Sequence, residues 1–140
     1  MESLHEFLNR YQCTRFKTGE NDCALFVAAW VRLLTGKDLA KRFQGHYCND
    51  IGSHRLIRKL GFNDLEDMVH VLGDAVGVRR STPLLAQRGD VAWLKGSHEH
   101  ICGIVCANGV AVLGPEGLII VPLSTIETAW QISCEVSDGC

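Results

Sequence analysis

"TGENDCALFVAAW", residues 18–30, sets a polar, glycine-containing loop against an almost unbroken apolar run, with Cys23 at the join. The run reaches residue 34 and is broken only by Arg32. A helix apolar on nearly every face is one buried on all sides. Asn21 or Asp22 can cap it by accepting backbone N–H bonds, and Gly36 suits a left-handed stop. The spacing therefore predicts a central helix over residues 23–34, with Cys23 in its first turn. A thiol at that place is either a reactive group or one more core thiol in a chain with seven cysteines.

Working outward, Leu4, Phe7, Leu8 and Tyr11 recur at helical spacing and predict a first amphipathic helix. A short helix is expected over "KDLAKRF", after which "GHYCNDIGS" reads as a loop. A further helix over "SHRLIRKLGF" is expected to be capped by Ser53 and closed by Gly61. Another over "NDLEDMVHVLG" is expected to start from an Asn63–Glu66 capping pair. Past residue 73 the period changes. "GDVAWL" (89–94), "ICGIVCANGVAVLG" (101–114), "GLIIVPL" (117–123) and "WQISCEV" (130–136) are strand-like runs bounded by Gly, Pro or Asn-Gly. Asn108 and Gly109 predict a hairpin turn. "STIETAW" predicts a helical turn before the last strand. Helices first and an antiparallel sheet afterwards make an α+β fold, and 140 residues make a single domain over 1–140.

Composition narrows the function classes. Fourteen Lys and Arg against sixteen Asp and Glu give a net charge of −2, without the basic excess of a nucleic-acid binder. No Lys or Arg follows Lys95. The longest apolar run is too short for a membrane span, and "MESLHEFLNRY" lacks the apolar core of a secretory signal. The cysteines form no C-x-x-C pair. Cys102, Cys106, Cys134 and Cys140 could supply four thiolates to a metal or an iron–sulfur cluster. The alternative for Cys102 and Cys106 is a pair of small apolar residues in a strand.

The chemistry centres on Cys23. A helix N-terminus favours a thiolate over a thiol, and amides near it can hold an oxyanion. A base must come from elsewhere in the chain, and "GSHEHICGIV" places His98 and His100 just before a predicted strand. Asp22 next to the thiol would raise its pKa if it pointed there, but as a cap it would point at amides.

The order loop–Cys–helix, then "RGDVAWL", then "HICGIVCANG" resembles the NlpC-type papain-like cysteine hydrolases, in particular their small phage-tail and prophage-encoded branch. "DCALF", "LTGKD", "GHY" and "LGPEGL" extend the resemblance over most of the chain. It implies a papain-like fold and cleavage of a peptide or amide bond in a peptidoglycan stem. Cys23 would be the nucleophile, His100 the base, a thioester the intermediate, and no cofactor would be needed. It also implies other tail-tip or baseplate proteins as partners and the virion tail as location. The chain departs from the family pattern at Ala24 and Leu25, where Ser and Gly are usual. His100 stands one residue early relative to Gly103 and Ile104. A one-residue slip turns a strand side chain to the opposite face unless a bulge restores it. The family's third polar residue would fall near residues 113–114, and Glu116 is the nearest substitute. His98 is a second base candidate. The competing expectations are a structural tail-tip subunit of the same fold without catalysis, and the four-cysteine metal site.

Overall fold

The computed structural model describes residues 3–14, 16–20 and 22–132. Four helices precede most of the sheet: α1 (Leu4–Arg10), α2 (Cys23–Thr35), α3 (Asp50–Lys59) and α4 (Leu65–Val76). Six strands follow: β1 (Gly77–Arg79), β2 (Val91–Lys95), β3 (His100–Cys106), β4 (Gly109–Gly114), β5 (Gly117–Val121) and β6 (Ile126–Ile132). They form one antiparallel sheet in the order β1-β6-β2-β3-β4-β5. The α+β expectation holds.

The central helix forms as its sequence dictates. The Asp22 side chain caps it, and Gly36 closes it at φ 78°. One side of α2 packs Phe26, Trp30 and Val31 against Val91, Trp93, Cys102, Ile104, Ala111 and Leu113 of the sheet, with Phe7 of α1 beside them. Leu25 turns to a second layer, meeting Phe43, Ile57 of α3 and Met68 of α4. The opposite sheet face carries its own buried cluster, which includes Ala92, Leu94, Val105, Val110 and Val112. Burial on both faces explains why β2 and β4 read as continuous apolar runs rather than alternating ones.

Several boundaries move. Residues 39–45 form successive turns instead of a helix: Gly45, at φ 79°, stops the segment after about one turn. The third helix starts at Asp50, not Ser53, because Asn49 caps it through Gly52 N–H at 2.7 Å. The capping box of α4 lies one residue later than expected. Asp64 accepts from Asp67 N–H at 2.8 Å, and Asp67 accepts from Asn63 N–H at 2.9 Å. That helix runs past Gly73, because Gly73 is a packing residue: a Cβ there would lie 2.6 Å from the Trp130 ring. The β3–β4 turn is formed by residues 107–108. Gly109 opens β4 at φ 148°, where a Cβ would meet the Val121 carbonyl at 2.4 Å. The helical turn before the last strand covers only Leu123–Thr125, so β6 begins at Ile126. Residues 133–136 of the expected last strand lie outside the described residues.

Candidate active site

Asp22 is buried and fully engaged. Its Oδ1 accepts from Leu25 N–H at 2.9 Å, and its Oδ2 accepts from Gly19 N–H at 3.1 Å and from the Tyr47 hydroxyl. Gly19 takes φ 87° and presses so close to the Tyr47 carbonyl that no side chain fits there. The loop before the nucleophile candidate is therefore locked onto the 45–47 segment through backbone and carboxylate alike, with Gly45 N–H on Gly19 O at 2.8 Å.

Cys23 follows, half-buried, with its thiol donating to Leu113 O at 3.6 Å. Burial, then the charges of Asp22 and Glu99, pushes its pKa up to about 11 from an ordinary thiol value of 9.0. This direction opposes the activation expected of a thiol at a helix N-terminus, and burial is its largest cause. Burial and the nearby Cys23 and Asp22 likewise hold the Cys102 thiol protonated.

His100 opens β3 and lines the same cavity of about 260 Å³ as Cys23. The β2–β3 register is unbroken from Lys95–His100 to Val91–Ile104. Strand alternation therefore puts His100 on the face of Cys102 and Ile104, the face that packs on α2. The one-residue offset from Gly103 does not turn it away, and no bulge in β3 is involved. Its ring stacks on Trp93, centroids 5.6 Å apart and planes 9° apart. Its Nε2 meets Glu127 Oε1 at 3.0 Å. Among the described residues, no hydrogen bond joins Cys23 to His100.

Glu127 was not expected at the site. It comes from β6, on the far side of β2 from β3. Trp93 pairs with Thr128 while Leu94 pairs with Ile126, so Glu127 is the extra residue of a bulge. A bulge re-aims a side chain, and here the re-aimed carboxylate reaches over Trp93 to His100. On the other side of Trp93 stands His70, edge-on at 6.0 Å and bonded to Glu66 O at 2.7 Å. Trp93 is almost fully buried, and its indole N–H has no partner among the described residues.

The remaining candidates disperse. His98 is exposed in the β2–β3 turn and does not line the cavity, whereas its neighbour Glu99 does. Glu116 sits exposed in the β4–β5 turn, and the carboxylate on His100 is Glu127 instead. Cys102 and Cys106 lie four residues apart on one strand, about 13 Å. Thiolates on one zinc each sit about 2.3 Å from it, so these two cannot share an ion. Cys106 instead donates to Gly109 O at 3.4 Å. Cys134 and Cys140 lie outside the described residues, and among the described residues no group of three or more His, Cys, Asp or Glu is placed to hold a metal. No helix of the described chain is long and apolar enough to cross a membrane.

Over residues 1–132 the chain matches the family described as Domain of unknown function (DUF6950), and it belongs to that family. No curated protein matches it.

Proposed function

We propose that this protein is a papain-like thiol hydrolase, with Cys23 as nucleophile, His100 as base and Glu127 as the group that orients the base. The observation that carries the reading is the His100–Glu127 pair, stacked on Trp93, facing the cavity that Cys23 also lines. A carboxylate only accepts hydrogen bonds. Glu127 therefore selects the tautomer with the proton on Nε2 and leaves a lone pair on Nδ1.

The reaction starts when the Cys23 thiol leaves Leu113 O and turns to His100 Nδ1, which takes its proton. The sulfur then bonds to the substrate carbonyl carbon, and amides in the first turn of α2 hold the developing oxyanion. The C–N bond breaks as His100 returns the proton to the leaving amine, producing a thioester. Water, deprotonated by His100, cleaves that thioester and regenerates the thiol.

The sequence resemblance makes a peptidoglycan stem-peptide bond the first substrate to assay and a phage tail tip the proposed setting. Digestion of purified peptidoglycan, followed by chromatography of the released peptides, should show new amines with the wild-type protein and none with Cys23→Ala. Equal release by both proteins would refute the assignment. The second reading is a tail-tip assembly subunit that keeps the fold without the chemistry. It is favoured by one observation, a thiol that rests on Leu113 O with no hydrogen bond to His100 among the described residues.

A further inference from the structure

The wall of the cavity that Cys23 lines is mainly apolar. The charged and imidazole groups on its wall are Asp22, Asp50, His54, Glu99 and His100. They belong to the cap of α2, the first half of α3 and the start of β3. The apolar part of the wall includes Val31, Met68, Val69, Leu72, Val76 and Val91. Val31 lies eight residues along α2 from Cys23, about 12 Å of helix rise, so the cavity extends along α2 from the thiol. A cavity of about 150 Å³ lined by such side chains admits benzene. The 260 Å³ here leaves room for a longer, narrow ligand.

A mainly apolar chamber with a thiol and a few polar groups on its wall suits a substrate with an aliphatic part and a carbonyl. We infer that the chamber receives the aliphatic chain of a medium-length acyl group and presents its carbonyl to Cys23. The inference rests on the proposed role of Cys23 as nucleophile, but chain binding can be measured without it.

Two measurements test this. The first is calorimetric binding of octanamide, with acetamide as control, to the Cys23→Ala protein. The second is acylation of wild-type Cys23 by p-nitrophenyl octanoate and p-nitrophenyl acetate, read by mass spectrometry and normalised to the rates of N-acetylcysteine. In that step the thiol proton passes to His100, the sulfur–acyl bond forms, the ester C–O bond breaks and p-nitrophenolate leaves. Saturable octanamide binding, and octanoyl transfer about tenfold faster or more than acetyl transfer, are expected. Val69→Phe, which narrows the chamber, should erase both preferences; if that protein does not fold, Ala28→Leu serves in its place. No saturable octanamide binding, or equal normalised rates for the two esters, overturns the chamber's assignment and leaves the thiol reading intact. Octanamide binding without acylation by either ester refutes Cys23 as the nucleophile while sustaining the chamber as an aliphatic site.

Discussion

The two halves of the candidate site are built in opposite ways. The Cys23 half is buried and saturated: Asp22 holds two amides and a tyrosine hydroxyl, and the thiol rests on a carbonyl. The His100 half is open. Its ring–carboxylate pair is more than a third exposed on both sides and rests on a single indole face. The difference leaves the Cys23 half fixed by hydrogen bonds and the His100 half open to solvent. It also means that damage to each half should appear in a different observable.

The largest stability effect belongs to the closed half. Asp22→Ala removes a helix cap and strands two amides and a buried hydroxyl, and should cost about 2–4 kcal/mol in urea denaturation. Asp22→Asn keeps an acceptor and should cost less. Equal and small losses from both would show that the loop is not held as described.

The next effect is one of pH. Cys23 keeps its proton in the fold to about 11, whereas an ordinary thiol releases it near 9.0. Below about pH 9 both states hold the proton and the contribution is complete. Between about 9 and 11 the unfolded chain releases it first, so stability falls by roughly 2–3 kcal/mol as pH rises. Cys23→Ala should lack that part of the decline, and an identical pH dependence in both proteins would contradict the burial of the thiol.

The smallest effect belongs to the open half. Glu127→Gln should slow catalysis about tenfold with little change in stability, since an exposed pair contributes little to folding. That is far less than the roughly ten-thousandfold loss on altering a buried carboxylate partner. A stability loss without a rate loss would make Glu127 a structural residue.

The same division governs how much could be read from the sequence. The Cys23 half is local: cap, thiol, apolar helix and glycine stop occupy residues 22–36, and each residue's preference agrees with its neighbours'. The position of His100 at the start of a strand was equally legible, and alternation along β3 resolves which way it faces. Glu127 was not legible. Its position depends on a register shift between β2 and β6, strands more than thirty residues apart, and "STIETAW" carries no mark of a bulge. The start of α3 was missed for a smaller reason, a glycine and a β-branched residue in its first turn that lower helix propensity until Asn49 caps it. The upward pKa shift of Cys23 was not legible either, because its largest cause is burial, which depends on the tertiary fold.

The account turns on whether His100 takes the Cys23 proton, and the rate of Cys23 alkylation by iodoacetamide near neutral pH reports this directly. Peptide mapping would use the exposed Cys13 and Cys48 as internal references. With its proton held to about 11, wild-type Cys23 should label more slowly than these two, and His100→Ala should slow it about a hundredfold further, the low end of general-base effects. A Cys23 labelling rate unchanged by His100→Ala would identify it as a core thiol and leave the protein without the proposed chemistry.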